Sequence, residues 1–143
     1  QLLLTAAPEQ PFRNVQVEVD AARRSGPLQN LFGLICRSSD PDNFYFFAIS
    51  NDGFYALGKI RNGQAELLGQ DMMAYNSAIL QGEATNHLRL DCIGETLTGT
   101  VNGTVIATSE DADFSSGQVG LVAGTHDLPD VAVVFDNFVV YKP

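Results

Sequence analysis

Glu18 and Asp20 have the side-chain chemistry and the spacing of an acid–base pair. They lie in the stretch from Asn14 to Asp20, which alternates between valines and polar residues. This alternation predicts a half-buried strand with both carboxylates on one face. Two carboxyl groups about 5 to 5.5 Å apart perform retaining glycoside hydrolysis, one as the nucleophile and one as the acid/base. The competing interpretation is an ordinary polar strand face.

A nucleophilic site has weaker support. The chain has two histidines, of which His87 falls in a predicted strand and His126 in a predicted loop. No serine stands in a G-x-S-x-G turn, the arrangement that exposes the nucleophile of many hydrolases. We therefore expect both histidines to be surface or rim residues.

Cys36 and Cys92 are the two cysteines, and each follows large aliphatic residues at alternate positions of an apolar run. Both are therefore predicted to point into the core. Two alternatives stay open, a disulfide across strands or sheets in a secreted protein and a pair of buried free thiols. A zinc site is disfavoured because there is no C-x-x-C spacing and no nearby histidine.

The composition predicts a single domain, residues 1–143, and argues against several classes of partner. The chain has 143 residues, of which 45% are hydrophobic, enough for a substantial core. Its 17 acidic residues outnumber 8 basic ones, which disfavours nucleic acid and anionic membrane surfaces. No apolar run reaches about 18 residues, so no membrane insertion is expected.

The stretch from Leu31 to Gly63 has the pattern of an antiparallel meander, with three apolar runs separated by turn residues. Asn51-Asp52-Gly53 suits a three-residue hairpin loop that pairs Ser50 with Phe54. One face of the hairpin then carries Tyr45, Phe47, Ile49, Tyr55, Leu57 and Lys59, and the other Phe44, Phe46, Ala48, Phe54, Ala56 and Gly58. Both faces are largely apolar, so the hairpin is predicted to lie in the middle of a sheet.

About ten strands at regular spacing, with no βαβ pattern, predict an all-β, antiparallel two-sheet sandwich. Residues 23–27 are expected to form a turn, and residues 69–85 a loop with a helical turn. That loop is expected to cover Met72, Met73 and Ile79. The core between the sheets is expected to include Phe46, Cys36 and Leu90.

Six short motifs follow one another in an order typical of one family of domains. They are Phe32-Gly33-Leu34-Ile35-Cys36-Arg37, Asn43-Phe44-Tyr45-x-Phe47, Asp52-Gly53-x-Tyr55, Asn86-x-Leu88-Arg89 with Val101-Asn102-Gly103, Gly117-x-Val119-Gly120-Leu121 and Phe135-Asp136-Asn137-Phe138. Over residues 14–141 the chain resembles concanavalin A-like (laminin G-like) jelly-roll domains, most closely the bacterial DUF1080 or 3-keto-disaccharide-hydrolase-like group. The resemblance implies a jelly-roll fold and an extracellular, glycan-binding or adhesive module.

The same resemblance bears on catalysis. Sandwich glycoside hydrolases of this fold class place their carboxylates as E-x-D-x-x-E on one strand, and Glu18 and Asp20 match the first two. Arg23 stands where the third carboxylate belongs, so the acid/base is missing. We therefore predict that the protein is not an enzyme.

Sugar recognition needs an aromatic surface for the apolar ring face and planar polar groups that hold pairs of hydroxyls. The ligand-binding residues predicted for a concave sheet face are Arg37, Tyr45, Tyr55, Lys59 and Arg89. In the alternative interpretation, Tyr45 and Tyr55 pack across the hairpin and Arg37 pairs with Asp91.

No cofactor is predicted, with a structural calcium ion as the alternative. Asp40, Asp42, Asp130 and Asp136 lie near predicted turns and carry the oxygen ligands that Ca²⁺ prefers. Laminin G-like domains often hold one ion at the rim, so the resemblance points the same way. The competing interpretation is solvated aspartates that favour turn geometry.

Together these features predict a non-catalytic extracellular module that binds glycan or an extracellular protein. A second hypothesis is a structural subunit of an extracellular homopolymer. The short stretch before residue 14 supplies fewer strands than the family has, which leaves a sheet edge open to another chain. A sugar-active hydrolase is the third hypothesis.

Overall fold

Two β-sheets make up the protein in a computed structural model, which describes residues 2–5, 11–25, 31–123 and 132–143. In chain order the strands are β1 Leu2–Thr5, β2 Val15–Ser25, β3 Phe32–Asp40, β4 Asn43–Ile49, β5 Phe54–Arg61, β6 Gln64–Leu67, β7 Ala74–Tyr75, β8 Asn86–Ile93, β9 Thr96–Val101, β10 Thr104–Glu110, β11 Gln118–Ala123 and β12 Ala132–Tyr141.

The strands are antiparallel throughout both sheets. The seven-stranded sheet has the order β1-β11-β3-β4-β5-β6, with β7 also paired to β5, and the five-stranded sheet has the order β10-β9-β8-β2-β12. The predicted all-β two-sheet sandwich is therefore confirmed, and the meander does form the middle of a sheet. None of the described ranges contains a helix long and apolar enough to cross a membrane.

The predicted hairpin loop between β4 and β5 is confirmed. The backbone N–H of Ser50 donates to the carbonyl of Phe54 at 2.9 Å, and the N–H of Gly53 donates to the carbonyl of Ser50 at 3.1 Å. Gly53 has a φ of 98°, a conformation that glycine adopts without steric cost. Between β9 and β10, Asn102 and Gly103 both have positive φ, as a two-residue type I′ hairpin requires.

The main core lies between the sheets. It contains the alternate residues Val15, Val17 and Val19 of β2, Phe32, Leu34 and Cys36 of β3, Tyr45, Phe47 and Ile49 of β4, and Leu88, Leu90 and Cys92 of β8. A disulfide joins Cys36 to Cys92 and so links the two sheets covalently. Of the two alternatives for the cysteines, the structure shows the inter-sheet disulfide.

A second apolar cluster covers the opposite face of the seven-stranded sheet. Its buried members are Ile35, Phe44, Phe46, Ala48, Ala56 and Val122. The expectation that Phe46 lies between the sheets is therefore wrong. Phe46 alternates with Tyr45 and Phe47, which take the inner face, so its ring lies on the outside of the sheet.

Two local predictions also differ from the structure. Residues 23–25 do not form a turn, because β2 continues to Ser25 and pairs with β12 through Ala132 and Val133; residues 26–27 lie outside the described residues. Residues 69–85 contain the short strand β7 and turns, but no helical turn. Ile79 is buried, whereas Met72 is 74% exposed.

Candidate functional site

The outer face of the five-stranded sheet carries a dense array of polar side chains. Because the valines of β2 point inward, Gln16, Glu18 and Asp20 point outward, and strand pairing places them beside Asp91, Arg89 and His87 of β8. We call this surface the polar face. It consists of Gln16, Glu18, Asp20, His87, Arg89, Asp91, Thr98, Thr100, Asn137 and Tyr141.

His87 lies between the two carboxylates that the sequence singled out. Its Nε2 is 2.6 Å from Oε1 of Glu18, and its Nδ1 is 2.7 Å from Oδ1 of Asp20. A neutral imidazole has one N–H donor, whereas the protonated ring has two, so both contacts are hydrogen bonds only in the imidazolium form. The bond to Glu18 and then that to Asp20 raise the pKa of His87, against an opposing effect of burial.

Asp20 is held from two sides. Nδ2 of Asn137 donates to its Oδ2 at 2.8 Å, while its Oδ1 faces the ring of His87. The hydrogen bond from Asn137 and then that from His87 lower the pKa of Asp20, because both favour the carboxylate. Asp20 is therefore ionised at neutral pH and its position is fixed.

Arg89 forms a two-point contact with Asp91. Its Nε donates to Oδ1 at 2.7 Å and its Nη2 donates to Oδ2 at 2.9 Å, and this pairing raises the pKa of Arg89. Gln16 donates to the same carboxylate at 3.3 Å. The alternative in which Arg37 pairs with Asp91 is wrong, because Arg37 donates to backbone carbonyls instead.

An aromatic side chain stands at one edge of the polar face. Tyr141 of β12 pairs with Gln16 and is 56% exposed. Val139, two residues earlier, pairs with Glu18 and is 51% exposed. The edge strand thus adds apolar area beside the charged groups, the combination that carbohydrate recognition uses.

Tyr45 and Lys59, two of the predicted ligand-binding residues, meet inside the protein at Asp111. Tyr45 is completely buried, and its hydroxyl donates to Oδ2 of Asp111 at 2.6 Å and accepts the N–H of Phe114. Nζ of Lys59 donates to Oδ1 of Asp111 at 3.0 Å and also to Asp113. Both residues share the inner face of the hairpin, as the alternation predicted.

Arg37 lies on the inner side of β3, not on the outer face. The pairing of β3 with β4 is irregular between Cys36 and Asp40, and Arg37 has a φ of 53°. This bulge turns its side chain toward the other sheet, where it donates to the carbonyls of Arg13, Cys92 and Phe114. The expectation that Arg37 lies on an open, concave sheet face is wrong for that reason.

Tyr55 is half-buried and packs against the main core, while its carbonyl accepts a hydrogen bond from Gln70. Of the five predicted ligand-binding residues, the structure brings Tyr45 and Lys59 together and places Arg89 alone on the polar face. A ligand-binding role for Arg37, Tyr45, Tyr55 and Lys59 stays a prediction.

Two of the aspartates proposed for calcium accept hydrogen bonds from nearby backbone N–H groups. Oδ1 of Asp40 accepts the N–H of Asp42 at 2.8 Å, and Oδ1 of Asp136 accepts the N–H of Asn137 at 2.8 Å. His126 and Asp130 lie outside the described residues. Within those residues no group of three or more His, Cys, Asp or Glu side chains could hold a metal ion, and a structural calcium ion stays a prediction.

The sequence reasoning missed His87, Asn137 and Tyr141 as members of the site. Their roles follow from the pairing of β8 and β12 with β2. This pairing brings His87 to Asp20, 67 positions away in sequence, and Asn137 to Asp20, 117 positions away. The alternation of β8 does place His87 on the same face as Arg89. No local pattern identifies β2 as the neighbouring strand.

No protein-family model and no curated protein matches the chain. Solved structures do match. The chain is similar to carbohydrate-binding module CBM66 from Bacillus subtilis, with 20% identity and a TM-score of 0.75 over 96% of this chain and 78% of that one. It is also similar to sheep galectin-11 in complex with glycerol, with 14% identity and a TM-score of 0.61 over 98% and 95%.

The GH43 protein BlXynB from Bacillus licheniformis has 12% identity and a TM-score of 0.67 over 92% of this chain, which spans 28% of that protein. Identities this low show a shared fold and do not test the narrower resemblance to the DUF1080 group. The fold is that of a concanavalin A-like jelly-roll sandwich, as the sequence motifs predict.

Proposed function

We propose that the protein binds glycans through the polar face of its five-stranded sheet. The observation that carries this proposal is a fixed array of polar groups: Asp91 holds Arg89, and His87 holds the carboxylates of Glu18 and Asp20, while the side chains of Arg89 and His87 are 37% and 42% exposed. Fixed planar groups bind pairs of sugar hydroxyls at a small cost in side-chain entropy. Tyr141 adds an exposed aromatic ring for the apolar face of a sugar.

The similar structures support the same class of ligand. CBM66 is named as a carbohydrate-binding module, and the galectin structure contains glycerol, a polyol with the hydroxyl spacing of a sugar. The polar face has carboxylates on both sides of His87 and beside Arg89, which favours hydroxyl groups over phosphates.

Binding to a panel of neutral and acidic polysaccharides, by affinity electrophoresis and a glycan array, tests the proposal. We expect Arg89→Ala to weaken binding by about tenfold, the effect of losing a hydrogen bond to a charged group. His87→Ala should also weaken binding, because the two nitrogens of His87 hold Glu18 and Asp20 in place. Arg61→Ala, on the seven-stranded sheet, is the matched control and should bind normally. Binding to no glycan, or equal binding by all three variants and the wild type, would refute the proposal.

We propose that this binding is not accompanied by catalysis. Glu18 and Asp20 share a face, but each has an oxygen bonded to the ring of His87, which stands between them. Both oxygens of Asp20 are engaged, by His87 and by Asn137, and Arg23 stands where the acid/base carboxylate belongs, so a second carboxyl group for the reaction is missing. Release of reducing sugar that disappears in Glu18→Gln would overturn this statement and favour a hydrolase.

An extracellular location is proposed from the disulfide, since such bonds persist in oxidising compartments. Self-assembly through a sheet edge stays a second hypothesis. Against it, the edge strands β10 and β12 of the five-stranded sheet pair irregularly with their neighbours, which discourages the addition of another strand. Light scattering at high protein concentration tests this hypothesis, and a particle mass that grows with concentration would favour assembly.

A further inference from the structure

A small pocket lies at the end of the sandwich where β2 begins and β8 ends. Its volume is about 320 Å³, and its lining includes Arg13, Asn14, Arg37, Glu95, Asp111 and Ser115. None of these residues belongs to the polar face. The volume is at the lower limit for small-molecule sites, so the pocket suits a ligand with about one sugar ring rather than a polymer.

The innermost cation of the pocket is Arg37, which is only 2% exposed. Its Nε and Nη2 donate to the carbonyl of Arg13 at 3.0 and 2.7 Å, Nη2 donates to Cys92 at 3.3 Å, and Nη1 donates to Phe114 at 3.2 Å. Among the described residues, no carboxylate forms a salt bridge with it.

The hydrogen bonds of Arg37 leave capacity for a ligand. A guanidinium has five N–H donors, and the four bonds above leave one hydrogen of Nη1 without an acceptor among the described residues. A buried charge is costly without a partner of opposite sign, and carbonyl dipoles compensate it only in part. A bound anion would supply both the acceptor and the charge.

The remaining charges of the pocket leave a positive balance. Asp111 is paired with Lys59 at 3.0 Å, and Asp113, which also contacts Lys59, is paired with Arg61 at 3.2 Å, so these four charges cancel. Arg13 and Glu95 are exposed at the mouth and oppose each other, which leaves the charge of Arg37. This local balance contrasts with the formal net charge of −9 for the whole chain.

We propose that this pocket binds a single carboxylate group, carried by an acidic sugar residue or by a small organic acid. A carboxylate matches the planar guanidinium and carries the one negative charge that the pocket lacks. This pocket is a separate site from the polar face, because the two share no residue.

Titrations followed by two-dimensional NMR test the proposal with three probes, D-glucuronate, its neutral amide D-glucuronamide, and propionate. We expect D-glucuronate to shift the amide signals of Gly94, Glu95 and Ser115, and D-glucuronamide to leave them unchanged. Propionate distinguishes the sources. If propionate binds as tightly as D-glucuronate, the ligands of the pocket are small organic acids. If propionate binds more weakly, they are acidic sugars.

Two exposed positions serve as variants, since Arg37 itself supports the fold through its carbonyl contacts. We expect Arg13→Gln to weaken binding of D-glucuronate about fivefold and Glu95→Gln to strengthen it by a similar factor, because each changes one charge at the mouth. Equal binding of acid and amide, or no response to either variant, would overturn the proposal. Signals that shift only at Arg89 and His87 would also overturn it, while leaving the proposed function intact.

Discussion

The ring of Phe47, on the seven-stranded sheet, lies directly over the backbone of Gly99, on the five-stranded sheet. A Cβ atom at residue 99 would stand 2.5 Å from Cδ1 and Cε1 of Phe47. Phe47 is completely buried, so its ring has little space into which to move. The spacing of the two sheets at this point therefore requires a residue without a side chain.

Gly99→Ala should lower the free energy of unfolding by about 1 to 3 kcal/mol, the usual cost of overpacking a core. Urea unfolding followed by circular dichroism measures this change. In the background of Phe47→Leu, whose side chain is smaller, the same substitution should cost less, so the two changes are not additive. Equal costs in both backgrounds would show that the ring is not the obstacle.

The disulfide between Cys36 and Cys92 should contribute about 2 to 4 kcal/mol, because it restricts a loop of 56 residues in the unfolded chain. Replacing both cysteines with alanine should remove that contribution. Urea unfolding with and without dithiothreitol provides the measurement, and the reductant should destabilise the wild type but not the double variant. A wild type that is equally stable when reduced would contradict the prediction.

Much of the fold was predictable because its signals are local. The Asn-Gly and Asn-Asp-Gly turns fix hairpin registers, and strict alternation on β2 and β8 identifies their inner residues. The error over Phe46 has a physical reason. The hairpin is apolar on both faces, because a second cluster covers the outside of its sheet, so hydrophobicity did not mark the inner face.

The candidate site was less predictable because it depends on pairing between distant strands. Arg89 was found from the alternation of its own strand. His87 acquires its role only when β8 pairs with β2, and Arg37 was misplaced because a single bulge reverses the alternation after Cys36. Neither the pairing nor the bulge has a sequence signal in this chain.

Tyr45→Phe should lower the free energy of unfolding by about 1 to 3 kcal/mol, since it leaves the N–H of Phe114 without this acceptor and removes one of the donors to Asp111. Burial, followed by the hydrogen bond to Asp111, raises the pKa of Tyr45 to about 12. The neutral phenol of Tyr45 stabilises the folded protein fully below about pH 10, and this stabilisation is lost as pH rises through 12.

Absorbance at 295 nm during an alkaline titration measures the ionisation of Tyr45 directly. One tyrosine should titrate near pH 12, and that step should be missing in Tyr45→Phe. Tyr75→Phe, at an exposed position, is the control and should retain it. A titration that is the same in Tyr45→Phe and the wild type would show that the buried phenol is not the group with the raised pKa.

The contacts of His87 predict a stability that declines as the solution becomes alkaline. The pKa of this histidine is raised in the folded protein, chiefly by Glu18, so the protonated ring stabilises the fold fully below its ordinary pKa of about 6.5. That stabilisation is lost as pH rises through the folded-state pKa. Because the side chain of His87 is 42% exposed, we expect the stabilisation to stay below about 1 kcal/mol. Urea unfolding of the wild type and His87→Gln should differ most below pH 6.5 and converge as pH rises through the raised pKa of His87. A difference independent of pH would mean that the ring is not protonated between its two carboxylates.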